Sequence, residues 1–245
     1  MDKNIGFNRN IALPWLDAAA CFIVEGSDPA TVRARLDPVV GAEIASPDNR
    51  RKAIDILIHI WGKTQGSHPS LHAAAVGLYP QAPAGDRVWL HYGLTLLAYP
   101  FFRQTAAAIG RLTRQQEIIS SRAVKERLVA ERGQLGSQSK AIERVCFSLR
   151  HWGLLADAGR QRHYRPLSQP VAAEDRQVQA WLLACALCAH PAEEIPFADL
   201  VRLPELFAFR FTLSLDDLRR DGRFAVQRQG GGWDAVRLAE LDRLQ

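Results

Sequence analysis

The sequence predicts a mainly α-helical protein: a helical N-terminal domain followed by tandem winged helix-turn-helix modules with small β-hairpin wings. Three observations carry that expectation. The first 110 residues repeat apolar side chains at three- and four-residue spacing, the period of helices with one buried face. Residues 118–166 then read helix, short turn, helix, β-hairpin, which is the order of a winged helix-turn-helix. Residues 171–245 close on a helix and a hairpin around Gly230, Gly231 and Gly232, a second and more degenerate statement of the same order. The expected units are a scaffold at 1–110, a first winged module at 111–170 and a second at 171–245.

The scaffold is a series of punctuated helices. "LPWLDAAACFIVEG" (13–26) is apolar at helical spacing and stops at Gly26. "SDPATVRARLDPVVG" (27–41) opens with Asp28 as N-cap and Pro29 at the first helical position, and buries Val32, Leu36 and Val39. "SPDNRRKAIDILIHIWGKT" (46–64) repeats the device with Ser46 and Pro47, and Gly62 is expected to end it. A shorter helix follows in "SHPSLHAAAVGLYPQ" (67–81). The long helical run from Gly85 to Ile118 is expected to kink or divide at Pro100. The polar faces carry one dense basic cluster, "NRRK" at 49–52, which reads as a solvated first turn.

The middle of the chain changes character. "SSRAVKERLVAERG" (120–133) is a helix with Ser121 as N-cap and Ala123, Val124, Leu128 and Val129 turned inward. "GQLG" (133–136) is a tight connection, and a second helix runs from Ser137 to Trp152, where Gly153 stops it. At about 100° per residue, Val145, Cys146, Leu149 and Trp152 gather around Ile142 as a buried stripe. Lys140, Arg144, Phe147 and His151 gather on the opposite side, with Ser148 on their flank. "LLADAGRQRHYRP" (154–166) gives two short strands around Gly159.

A basic, hydrogen-bonding helix face of this kind fits the major groove of duplex DNA. Lys140 and Arg144 are candidates for guanine edges or phosphates, with His151 beside them. Ser137, Gln138 and Ser139 are candidates to meet phosphate at the helix N-terminus. Arg160, Arg162, His163 and Arg165 are candidate wing contacts, and Arg122 and Lys125 candidate phosphate contacts from the preceding helix. Phe147 is the exception, because a phenylalanine more often packs on its own protein than on a thymine methyl.

The last unit offers a helix at "DRQVQAWLLACALCAH" (175–190) and an alternating run through Phe207, Phe209, Phe211 and Leu213. A short helix follows, capped by Ser214 with Asp216 and Asp217 in its first turn.

Charge is unevenly spread. The net charge is +5, yet residues 110–170 hold 12 basic and 5 acidic side chains, while residues 171–245 hold 9 basic and 12 acidic. A localised basic surface is the electrostatic footprint of a nucleic-acid partner. Four cysteines at irregular, apolar positions read as reduced thiols, and the polar start "MDKNIGFNRN" shows no signal sequence, so a cytoplasmic protein is expected. "VWLHYGLTLLAYPFF" (88–102) falls short of the roughly 20 apolar residues of a membrane span, so no membrane partner is expected. Cys185, Cys188 and His190 lack a second ligand pair, and His68 and His72 lack acidic neighbours, so no metal or other cofactor is expected. Phosphate-loop, dinucleotide, nucleophile-elbow and zinc-protease motifs are all missing, which points away from an enzyme.

The segments "NRRKAIDILIHIW", "LTLLAYPFFRQTAAAIG" and "SLRHWGLLAD", in that order, resemble the small BrxA-type proteins of bacterial BREX phage-exclusion loci. The likeness spans roughly residues 45–165. It implies a non-enzymatic DNA-binding accessory or regulator in anti-phage defence, with double-stranded DNA and other defence-system proteins as partners. The alternative is a winged-helix adaptor that docks a larger condensin-like or defence ATPase complex.

Overall fold

A computed structural model describes residues 5–133 and 138–239. The N-terminal half follows the punctuation of the sequence. Helix α1 (Leu13–Val24) is closed by Gly26 at φ +81°. Helix α2 (Pro29–Gly41) is capped by Asp28, whose Oδ1 accepts from Ala30 N at 3.0 Å and Thr31 N at 3.2 Å. Helix α3 (Pro47–Ile58) starts at Pro47, although the Ser46 side chain makes no cap bond.

Gly62 does not stop α3. The chain passes into a π-helical turn (His59–Lys63) and on into α4 (Thr64–Ser67). Two side chains account for the widened turn. The Thr64 hydroxyl donates to the Ile60 carbonyl, and the Trp61 indole is anchored outside the helix on His91.

Helix α5 (Pro69–Leu78) and helix α6 (Arg87–Ala98) follow. Pro100 lacks an N–H and keeps Tyr99 extended at φ −132°, so α7 (Pro100–Thr113) begins afresh, as expected. Every residue from Val88 to Leu97 of α6 is buried, which makes it the central helix of the molecule.

The rest of the chain states one topology twice. After α7 come β1 (Ile119–Ser120), α8 (Ser121–Arg132), α9 (Gln138–His151), β2 (Ala156–Asp157) and β3 (His163–Arg165). The three strands form an antiparallel sheet in the order β1-β3-β2, with Ile119 opposite Tyr164 and Ala156 opposite Arg165. The cap of α8 is Ser120, one residue before the expected Ser121. Ser120 has the extended backbone of β1 and its Oγ accepts from Ala123 N at 3.1 Å. Gly153 (φ +71°) and Gly159 (φ +74°) turn the chain where expected.

The second statement opens with β4 (Val171–Ala172) and α10 (Arg176–Cys188), then β5 (Glu194–Pro196) and α11 (Phe197–Leu200). A 3₁₀ turn (Pro204–Leu206) and β6 (Phe209–Arg210), which pairs parallel to β4, are inserted before α12 (Leu215–Arg220). Strands β7 (Phe224–Arg228) and β8 (Asp234–Leu238) finish it. The sheet order is β5-β8-β7, the same as in the first statement. Of the alternating run from Phe207 to Leu213, only Phe209 and Arg210 are strand.

The halves meet through glycines. A Cβ at Gly93 would lie 2.4 Å from the Trp181 ring of α10, and one at Gly110 would lie 1.9 Å from the Pro204 carbonyl oxygen. The expected boundary at residue 110 therefore falls inside α7, and the buried apolar side chains form one cluster from Phe7 to Leu238. Among the described residues no helix is long and apolar enough to cross a membrane.

Candidate nucleic-acid interface

Helix α9 has the two faces expected of it. Ala141, Ile142, Val145, Cys146 and Leu149 are buried, with Trp152 beneath them stacked 5.6 Å from the Phe102 ring. Burial, and then Glu143, push the Cys146 thiol up to about 12, so it is an inert core group. On the other face Ser139, Lys140, Arg144, Arg150 and His151 are exposed. Phe147 is half-buried against its own helix, with the Arg150 guanidinium 5.5 Å from its ring and the His151 ring at 5.9 Å.

Two expectations at the start of α9 change. Gln138 is buried at 2% exposure, so its side chain faces the core and not a groove. Ser137 lies outside the described residues.

A larger change comes from the other end of the chain. Residues 5–12 run along one flank of α9, driven there by Phe7 and Ile11, both fully buried. Ile11 N donates to Ser148 Oγ at 3.0 Å, and Trp152 Nε1 donates to the Ile11 carbonyl at 2.9 Å. Leu13 N donates to His151 Nδ1 at 3.3 Å, so that ring nitrogen is not open to DNA. Arg144 donates to Asn10 Oδ1 at 3.0 Å and stays exposed. The flank with Ser148 is thus closed by the N-terminal half, while the side with Lys140 and Arg150 is left open.

Where the segment crosses α9 it leaves a cavity of about 510 Å³. Its polar lining is Arg9, Lys140 and Arg144 with the amides of Asn8, Asn10 and Asn49, and among the described residues no carboxylate lines it. Arg9 donates to its neighbour Asn8, through the carbonyl at 2.8 Å and Oδ1 at 3.1 Å, while its Nε is buried without a partner. Three cations converging without an acid make a concave positive field suited to an anion. Sequence reading finds Lys140 and Arg144 here and misses Arg9, which lies more than 130 positions upstream and carries no local pattern.

Much of the remaining expected charge is neutralised nearby. Arg162, at φ +61°, ties the wing to α9 through Glu143 at 3.3 Å, so it is not a free wing contact. Arg122 pairs with Glu126 at 2.8 Å, and Arg150 with Asp157 at 2.8 Å. His163 is half-buried, with its Nδ1 2.9 Å from the Gln161 carbonyl. Lys125, Lys140, Arg160 and Arg165 make no ion pair among the described residues, and of these Lys140, Arg160 and Arg165 are exposed.

A second polar cluster has the residues of an acid–base site but not its freedom. His91 is fully buried. Its Nε2 lies 3.0 Å from Asp17 Oδ1, and its Nδ1 accepts from Trp61 Nε1 at 3.0 Å. Both ring nitrogens are therefore committed, and none is open to take a substrate proton. Burial, opposed by Asp17, holds His91 below the ordinary histidine value. Burial raises Asp17, but bonds from His91 and Tyr79 overcome it and leave the carboxyl below its ordinary value. His72 Nε2 bonds the Trp61 carbonyl at 2.5 Å, and His68 Nδ1 lies 3.6 Å from Cys188 Sγ, so the two histidines serve different partners.

Comparison with protein-family models, curated proteins and solved structures gives no match for this chain.

Proposed function

We propose that the protein binds double-stranded DNA and performs no chemistry on it. In this reading the two statements of helix, strand, helix, helix and hairpin are tandem winged helix-turn-helix modules. Their support is the repeated sheet order, β1-β3-β2 and β5-β8-β7. Helix α9 is then the recognition helix and the β2–β3 hairpin the wing. The observation that carries the reading is the acid-free convergence of Arg9, Lys140 and Arg144 on the open edge of α9. Arg160, Arg165 and Lys125 add backbone contacts, and Ser139 lies at the helix start. Binding is dominated by phosphates and limited in sequence preference. The resemblance to BrxA-type proteins supplies the setting, an accessory or regulator in bacterial anti-phage defence.

The second module fits protein docking better. Residues 171–245 hold more acidic than basic side chains, 12 against 9, and Arg176 is held by Asp217, Arg219 by Asp216 and Asp234, and Arg223 by Asp221. Trp233 at the turn of its hairpin is 41% exposed.

The test is Lys140→Glu with Arg144→Glu in a duplex gel shift at two salt concentrations. Wild-type binding weakens steeply with salt, because each neutralised phosphate contributes a slope of about 0.9. The double variant keeps its circular dichroism and loses at least about tenfold in affinity. Unchanged affinity removes α9 from the interface.

A further inference from the structure

The pocket beside α9 does not end there. Asn8 is shared with a second cleft, of about 700 Å³, whose lining also includes Gly6 of the N-terminal segment. One helix serves both. Asn49 of α3 lines the first cavity, and Lys52 and His59 line the second together with Lys63 of the π turn. These positions follow one another at three, seven and four residues along α3 and its continuation, and Asp55, which also lines the second cleft, falls in the longest interval. From 49 to 63 they span about 21 Å at about 1.5 Å per residue.

The charge of this second cleft is positive. Arg33 is held by Asp55 at 2.6 Å and Lys52 by Asp48 at 2.5 Å, both as exposed pairs of the weak kind that a phosphate displaces. Lys63 has no ion pair among the described residues and stands beside His59. Burial, and then the Lys63 charge, hold His59 below its ordinary value, and the acid in the same cleft, Asp55, is held by Arg33. The π turn that carries both His59 and Lys63 is an uncommon conformation, found frequently at functional sites.

We infer that this face of α3 continues the DNA interface: a cationic track leads from the α9 pocket past Asn8 to Lys63 and takes the sugar-phosphate backbone of the same duplex. Its length matches about six nucleotides at about 3.4 Å each. The inference rests on the DNA-binding reading proposed above, and the experiment separates the two.

Affinity and salt slope are measured for duplexes of about one and about two helical turns, roughly 10 and 20 base pairs. The proteins are wild type, Lys140→Glu, and Lys52→Glu with Lys63→Glu. The α3 double variant is expected to lose less on the short duplex than on the long one, because a short duplex centred on α9 extends only about 17 Å to either side and stops short of Lys63. On the long duplex it loses at least about tenfold in affinity and about two from the salt slope. Lys140→Glu weakens both duplexes. Lys63→Gln, which removes the charge without reversing it, gives the smaller loss in the same direction. If the α3 variants match wild type on the long duplex while Lys140→Glu does not, the track is wrong and the α9 interface stands. If wild type binds neither duplex, both fall. Free ATP is the control for a small phosphate ligand: a Lys63-dependent rise in melting temperature with ATP, and no Lys63 dependence of duplex affinity, overturns the track.

Discussion

At the scale of single residues, the most consequential side chain outside the interface is His91. It is fully buried, between the Trp61 indole and Asp17, and its Nδ1 is an acceptor. Trp61→Phe keeps the ring and removes the donor. It leaves that nitrogen buried and unpaired, at a cost of about 1–3 kcal/mol, read by urea denaturation. The same burial makes stability depend on pH. His91 titrates lower in the fold than the roughly 6.5 of an unfolded chain, and His59, His68 and His72 are depressed too, each by burial first. Below that pH the unfolded chain binds protons that the native chain refuses. Stability is therefore full above about pH 6.5 and falls as the pH drops, with His91 alone contributing a slope of up to about 1.4 kcal/mol per pH unit. A flat stability profile between pH 7 and 5 would contradict this, and Trp61→Phe, which frees Nδ1 to accept a proton, should flatten it.

At the scale of elements, the sequence was most informative where structure is local. The Asp28 cap, the Pro100 break and the Ser214 capping box are each written within four residues, and all three form. The two faces of α9 are legible for the same reason, since helical period alone sorts Lys140 and Arg144 from Ile142 and Leu149. What escapes is made by partners far apart in the chain. Gln138 looks like a polar first-turn residue, yet it is buried. His151 looks like a groove contact and Ser148 like its exposed flank, yet the segment ending at Leu13 bonds both. Gly62 reads as a stop because glycine usually is one, but Thr64 and Trp61 carry the helix through it. Gly110 is the inverse case, a helix-interior glycine whose reason lies on another element. Its missing Cβ admits the Pro204 carbonyl of the 3₁₀ turn. Gly110→Ala forces α7 off that turn and should destabilise by at least about 2 kcal/mol, although alanine is the better helix former. A neutral or stabilising result in thermal denaturation would mean that the seam between α7 and the Pro204 turn is loose.

At the scale of the whole molecule, the issue is whether the unit proposed to contact DNA stands alone. Charge and element order suggest that residues 111–170 form a module, but the packing ties it into the full chain. Its opening helix α7 starts at Pro100, and Phe102 of that helix supplies the ring stacked on Trp152. Phe7 packs against Phe102 at 5.3 Å and against Trp152 at 6.5 Å, so the N-terminal segment completes the floor beneath α9. Arg9, the third cation of the pocket, rides on that same segment. A fragment of residues 111–170 would thus expose the apolar side of α9 and lose one of its three converging charges. It should show no cooperative melting and no dispersed amide spectrum, whereas the whole chain should unfold in one transition with tryptophan fluorescence and far-UV circular dichroism coincident. Phe7→Ala isolates the effect in the intact protein. It removes a fully buried ring at a cost of about 3–5 kcal/mol, and it should weaken duplex binding in conditions where the protein is still folded, because the segment that positions Arg9 is no longer anchored. If Phe7→Ala lowers stability but leaves duplex affinity untouched, the N-terminal segment is a brace for α9 and Arg9 takes no part in holding the phosphate.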